Sequence, residues 1–398
     1  MPFVRKGQRD FRIDFFRGLA LLFIFVDHVP DNVLANFTLK NFGFADAAEV
    51  FVLLAGYSAV LAYGRAFETE GFRAGTLRVL RRGRDIYLWH LGLLLVCGFG
   101  LVAIAHLLAN PSYIDGLKLY VFAENPPRAF ALAATLANQP NLLNILPLYV
   151  VLFVFWAPLL LWLVVRWPFV ALAVSVAVWA LANVYSLNLP SHQHPEGWVF
   201  NPFAWQLLMT IGAVAARFNL RDAIPFVPAL AALAGAYIAF ALLFAAPWAL
   251  VPGYASYRLL PADALGSLDR IYLPAWRLLH IVALGYLALT LLSAQARWLT
   301  RPWAVAVAHC GRHSLEIFCL ATVLSLLSWV YLVDVGGKGL GSQMLVNLVG
   351  VSVLLATAWA LTQGQRGAQQ LALVPRGRAG QPSSEAGVSS TANGLPTL

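Results

Sequence analysis

At 398 residues, with 60% hydrophobic and 11% charged side chains, the chain lies far from soluble domains, in which about a quarter of residues are charged. Its mean hydropathy of +0.72 excludes an ordinary water-soluble globule. The net charge of +9 would suit a nucleic-acid partner, but the basic residues sit in connections between apolar stretches, as in a polytopic membrane protein that binds no nucleic acid.

Apolar stretches long enough to span a bilayer fall at about 13–30, 44–63, 84–109, 141–165, 168–187, 200–217, 226–248, 271–294, 303–330 and 343–363. They predict an all-α membrane bundle of ten spans over residues 1–364. The Gly-, Gln-, Ser- and Pro-rich remainder, 365–398, is predicted to be a disordered cytoplasmic tail. Placing the N-terminus inside puts nineteen of the 27 Lys and Arg residues on the cytoplasmic side, so both termini are expected there. The charged flank and absent cleavage site mark the first stretch as retained rather than as a signal peptide. Cys97, Cys310 and Cys319 all lie within apolar stretches and read as packing residues, without an exported disulfide framework.

The first stretch, RIDFFRGLALLFIFVDHVP, carries Asp14, Arg17, Asp27 and His28. Eleven residues of helix make almost three turns and roughly 16 Å of rise, so Arg17 and His28 share a face but differ in depth. An uncharged imidazole near the outer end suits a general base. The structural alternative has Arg17 snorkelling to the inner interface and His28 capping the helix. The second stretch opens FADAAEVFVLLAGYSA, with Asp46 and Glu49 one turn apart and Gly56 placed for close helix packing. The following loop, 64–84, holds six arginines, among them Arg81, Arg82 and Arg84, which would lie along the membrane surface and attract anionic lipid headgroups.

His90 and His106 in the third stretch read as interfacial or hydrogen-bonded. Three longer connections on the outer side, 110–140, 188–199 and 249–270, are expected to be lids or acceptor-facing surfaces. His192 and His194 have a spacing some metals accept but no cysteine or carboxylate set beside them, and no metal site is assigned. Trp198, Phe200 and Trp205, with Asn201 and Gln206, form either a platform for a sugar ring or an interfacial aromatic belt. In PAWRLLH, Arg277 and His280 lie one turn apart, and so deep an arginine wants an anion: Asp46, Glu49, Glu316 or a substrate. In the ninth stretch His309, Arg312, His313 and Glu316 follow the spacing of one helix face, either as a site or as a network in which Glu316 pairs with Arg312. There is no Walker loop, dinucleotide fingerprint, GxSxG or HExxH, so ATP-driven transport, nicotinamide chemistry and ordinary serine or zinc hydrolysis lose support.

Arg17, ten intervening residues and His28 reproduce the first-span motif of the acyltransferase family 3 membrane enzymes. The segments RIDFFRGLALLFIFVDHVPDN, GFADAAEVFVLLAGYSAVLAYG, NILPLYVVLFVFWAPLLLWL, NPFAWQLLMTIGA, WRLLHIVALGY and HCGRHSLEIFCL, in that order, resemble the OpgC branch over essentially all of 11–330. The ninth stretch departs from the broader pattern: SLEIFCLA stands where SLYLWH is usual, so its polar residues are read on their own. The resemblance implies a bacterial inner-membrane enzyme that succinylates osmoregulated periplasmic glucans, with Arg17 and His28 as the essential pair.

On that expectation succinyl-CoA, or another acyl-CoA, is the donor substrate and no cofactor is held permanently. Its phosphates would meet Arg81, Arg82 and Arg84, and its thioester would meet a glucan hydroxyl near His28. Arg17 would position the donor or pair with Asp14. Asp27 points away from His28 on the same helix, so the partner of the imidazole should come from another span, with Glu49 or Asp46 at suitable depth. The free carboxylate of a succinyl group calls for a buried arginine, Arg277 or Arg312. Arg277, His280, Arg312, His313, Glu316 and Trp205 are therefore the expected substrate-binding residues. Two rival readings are a transporter or flippase for a glycan or lipid-linked sugar, with the polar stripes lining its path, and a structural subunit of a glucan-synthesising assembly.

Overall fold

Helix α1 (Phe11–His28) starts where the Asp10 side chain accepts the Arg12 N–H, filling one of the donors that a helix start leaves open. This computed structural model describes residues 10–245 and 269–373. Helix α2 (Ala47–Thr69) begins with a capping box: Asp46 accepts the Ala48 N–H, and Glu49 reaches back to the Asp46 N–H at 2.9 Å. Gly71, at φ +89°, turns the chain into α3 (Phe72–Leu107). The 110–140 connection, expected to be a loop, contains three short helices, α4 (Ser112–Leu117), α5 (Tyr120–Glu124) and α6 (Pro126–Ala134). Its prolines are part of the reason, since Pro126 and Pro127 occupy the first helical positions, where a missing N–H costs nothing.

Helix α7 (Ile145–Val151) passes through a π-turn, Leu152–Trp156, into α8 (Ala157–Arg166). Pro158 offers no N–H to the carbonyl four residues back, and the Ala157 N–H instead reaches Leu152, five back. Then follow α9 (Pro168–Tyr185), α10 (Pro202–Arg217), the single turn α11 (Leu220–Ala223), α12 (Pro228–Ala245) and α13 (Ala275–Leu291). The ninth apolar stretch is not one helix. It breaks at His313 (φ −106°, ψ 41°) into α14 (Pro302–Arg312) and α15 (Ser314–Val330), the latter extended by a π-turn, Tyr331–Val335. Last comes α16 (Leu340–Leu373).

Every one of the ten apolar stretches coincides with helix, and no strand occurs among the described residues. Among the described residues, six helical segments are long and apolar enough to cross a membrane: α2, α3, the joined α7–α8, α9, α15 with its π-turn, and residues 340–365 of α16. Helix α1 carries Arg12, Asp14, Arg17 and Asp27, α10 has 16 residues, and α12 and α13 supply shorter apolar segments. The result is a helical membrane bundle.

Two helix crossings are closed by glycines. A Cβ on Gly18 of α1 would overlap the Val307 carbonyl of α14, and one on Gly311 of α14 would overlap the Asp14 carbonyl of α1. The same reciprocity joins α2 and α10, where Gly56 faces Met209 and Gly212 faces Leu53. In lipid, where apolar side chains gain little by leaving their surroundings, such backbone-to-backbone approach is a main source of helix affinity. It also fixes the depth of α1 against α14 and of α2 against α10, which sets the positions of the polar residues they carry.

The chain separates into two compact units, residues 1–359 and 360–398. Most of the 249–270 connection and of the 365–398 tail lies outside the described residues, although α16 remains helical to Leu373.

Candidate functional site

The last turn of α1 brings His28 to a cavity of about 660 Å³ lined also by Asp27, Lys40, Asp46, Arg270 and Lys338. No hydrogen bond joins the His28 ring to protein among the described residues, so its nitrogens are directed at the cavity. Asp27 does not pair with the His28 ring, as the helix spacing predicts: it accepts from Thr38 Oγ1 at 2.5 Å and pairs with Lys40 at 3.3 Å.

Behind this cavity lies a buried ion cluster. Glu49, fully buried, holds Arg277 through contacts of 2.6 Å to Nε and 2.5 Å to a terminal nitrogen. Asp46 adds a contact to Arg277 at 3.3 Å and lies 3.8 Å from Arg270. Of the anions open to Arg277, the structure provides Asp46 and Glu49. Glu49 is directed at Arg277, and of the two carboxylates of suitable depth it is Asp46 that lines the His28 cavity. His280, one turn beyond Arg277, is buried against Phe44 and Tyr237 and accepts the Ala45 N–H at 3.4 Å.

A second cavity, of about 310 Å³, opens around Arg17. Arg17 donates to Ser314 Oγ at 2.5 Å and to Ser58 Oγ at 3.4 Å, and its guanidinium lies 5.8 Å from the Phe51 ring centroid. Arg82 and Arg312 line the same space, giving it three cationic side chains. Arg312 contacts Asp14 at 3.4 Å and stacks over Phe11, so its carboxylate partner is Asp14 rather than Glu316. The buried Tyr149 hydroxyl also faces this cavity, with no hydrogen-bond partner among the described residues.

Phe318 of α15 lines both cavities. Phe51 stacks on it at 6.5 Å between centroids and meets Tyr149 at 5.5 Å, so an aromatic septum divides the two spaces. Ile145 faces the His28 side and its neighbour Leu146 the Arg17 side. Chemically, one chamber presents fixed positive charge and hydroxyls, suited to an anionic ligand. The other presents an open imidazole among mixed charges, suited to proton transfer from a polar acceptor.

The other expected residues are distributed as follows. Trp205 is fully buried and edge-on to Phe200, and its Nε1 donates to the Arg270 carbonyl at 2.8 Å, so it supports the cavity wall. His309 is buried on α14 and His313 is buried at the helix break itself, while Glu316 is half-buried on α15. Because the helix is interrupted at His313, these residues do not share one continuous helix face. Among the three basic-loop arginines, Arg82 reaches the second cavity, Arg81 is exposed, and Arg84 pairs with Asp85 at 2.8 Å. His194 sits 3.4 Å from the Lys118 ammonium, and burial together with that charge holds its imidazole below the ordinary range, an environment opposed to a cation. Sequence reasoning missed Phe318, Tyr149, Lys40 and Arg270 as site residues. The two aromatics stand in uniformly apolar sequence, and the two cations read only as loop charge.

The family described as OpgC protein matches residues 9–366, nearly the whole chain. None of the curated proteins matches the chain, and neither does any solved structure.

Proposed function

The chain belongs to the OpgC family, and from that premise we propose that it is a membrane O-acyltransferase that moves a succinyl group from succinyl-CoA to hydroxyls of osmoregulated periplasmic glucans. In this reading the bundle has ten spans in a bacterial inner membrane with both termini cytoplasmic, and α1, α10, α12 and α13 cross with the six longer segments. The Arg17 chamber opens to the cytoplasm, and the His28 chamber to the periplasm. The observation that carries the proposal is the pair of chambers sharing one aromatic wall, cationic on one side and holding an open imidazole on the other.

The coenzyme phosphates would meet Arg81, Arg82 and Arg84 at the cytoplasmic mouth. The pantetheine arm would pass Arg17, Ser58 and Ser314 and displace Phe318, bringing the thioester to His28. The imidazole takes the proton of a glucan hydroxyl as that oxygen attacks the thioester carbonyl carbon. The carbon–sulfur bond then breaks, and the departing thiolate takes the proton from the imidazolium, leaving free CoA and a succinyl ester. Asp46, facing the same chamber, favours the imidazolium while it exists.

Purified protein in detergent, given succinyl-CoA and glucan, should release CoA only when acceptor is present and should yield succinylated glucan by mass spectrometry. His28→Ala should abolish both. Undiminished ester formation by His28→Ala would refute the proposal. Chambers facing opposite ways also suit a glycan transporter, and the same preparation separates the two, because a transporter makes no ester in the absence of a membrane.

A further inference from the structure

Arg270 is the half-exposed cation of the His28 chamber whose ion-pair contact is longest. Among the described residues, four cationic side chains stand at or behind that chamber. Arg277 is sealed, with its side chain 11% exposed and closed off by Glu49 and Asp46. Lys338 is bound to Asp31 at 2.6 Å, and Lys40 is held by Asp27 at 3.3 Å. Arg270 lies 3.8 Å from Asp46, and Asp46 is already satisfied by Arg277 at 3.3 Å and by the Ala48 N–H at 2.8 Å. The Arg270 side chain is 47% exposed and lines the chamber.

Its backbone, in contrast, is anchored. The Arg270 carbonyl accepts from Trp205 Nε1 at 2.8 Å and from the Leu273 N–H at 3.4 Å. Trp205 is fully buried on α10, a helix locked to α2 by the Gly56 and Gly212 contacts, and α2 begins at Asp46. A guanidinium on a long side chain therefore projects from a fixed point beside His28, loosely paired and able to turn toward a second anion. Such an arrangement suits bidentate capture of a carboxylate, for which a planar guanidinium is the best-matched side chain.

Connectivity decides which anion. If the coenzyme approaches from the Arg17 side, sulfur is on the septum side of the thioester carbon, and whatever the acyl chain carries beyond that carbon must extend into the His28 chamber. A succinyl group bears a carboxylate three bonds further on, whereas an acetyl group ends at a methyl. Resting on the acyltransferase reading above, we infer that Arg270 receives the free carboxylate of a dicarboxylic acyl group and so sets the choice of donor. Arg277 then plays a different part, neutralising Glu49 and holding Asp46 in place, which leaves the Arg270 guanidinium free to turn.

The test compares kcat/KM for succinyl-CoA and acetyl-CoA, with the same glucan acceptor, using the full-length protein in detergent. Wild type should favour succinyl-CoA. Arg270→Gln should lower kcat/KM for succinyl-CoA by roughly 10- to 100-fold, the worth of one hydrogen bond to a charged group, and leave that for acetyl-CoA close to wild type. Arg270→Lys should retain part of the preference, and Lys338→Gln should retain all of it. A succinyl-to-acetyl ratio unchanged in Arg270→Gln, or lost instead in Lys338→Gln, overturns the assignment, and so does a wild type that favours acetyl-CoA. Failure of the underlying reading looks different: wild type would then transfer neither acyl group.

Discussion

Removing the arginine from the buried Glu49–Arg277 pair should cost far more than removing both partners. Glu49 is fully buried, receives two contacts of 2.5 and 2.6 Å from Arg277, and has one further donor, the Asp46 N–H at 2.9 Å. In Arg277→Met the carboxylate keeps only that backbone N–H and stands next to the Asp46 carboxylate. Breaking a buried pair from one side costs about 3–5 kcal/mol, on the order of a hundred- to several-thousand-fold in the folded population. In Glu49→Leu/Arg277→Met neither buried charge remains, and Asp46 keeps Arg270 and the Ala48 N–H, so most of that loss should return. Thermal unfolding of the purified proteins in one detergent, followed by intrinsic fluorescence, gives the order. Wild type and the double variant should unfold close together, and Arg277→Met well below both. If Arg277→Met unfolds with wild type, the pair is not structural. A double variant as unstable as the single would mean that unpaired charge is not what Arg277→Met suffers from.

The glycine crossings and the septum give two further predictions. Gly311→Ala sets a methyl against the Asp14 carbonyl and should part α1 from α14, lowering the yield of monodisperse protein, whereas Gly92→Ala, with nothing within 4 Å, should be tolerated; equal yields on size exclusion would refute the close-approach argument. Phe318→Ala removes the wall common to both chambers. It should let water reach the donor, raising CoA release without acceptor relative to glucan ester formed, and an unchanged ratio would show that Phe318 does not separate the two spaces.

How much of this was legible in the sequence depended on range. Hydropathy located the helical stretches, because apolar composition is a property of each stretch alone; among the described residues six of the resulting segments are long and apolar enough to cross a membrane. The one-turn spacing of Asp46 and Glu49 was visible, and the capping box it forms follows from local geometry. The break at His313 was not visible: no proline marks it, and glycine and serine, as at Gly311 and Ser314 beside it, also occur inside unbroken helices. Pairing was the other blind spot. Arg312 has Glu316 one turn away in sequence and takes Asp14 from another helix, since the Gly18–Gly311 crossing brings α1 and α14 together at that depth. Arg270 carried no local signal at all. Its place beside His28 rests on Trp205, 65 positions earlier in the chain.

The spacing of Arg17 and His28 takes its meaning from the same long-range packing. Roughly 16 Å of helix separates two side chains on one face of α1, and each lines a different cavity. Neither chamber is built by α1 alone. Ser58 of α2 and Ser314 of α15 hold the guanidinium at one end, while Asp46, the cap of α2, lines the chamber at the other, with Phe318 of α15 between them. Helices α2 and α15 thus contribute to both chambers and to the septum, and any shift of α15 that moves Phe318 also moves Ser314 away from Arg17. A ligand that engages Arg17 and Ser314 together therefore bears directly on the helix carrying the wall. In the proposed reaction this would tie donor occupancy on one side to access toward His28 on the other, without contact between the two motif residues.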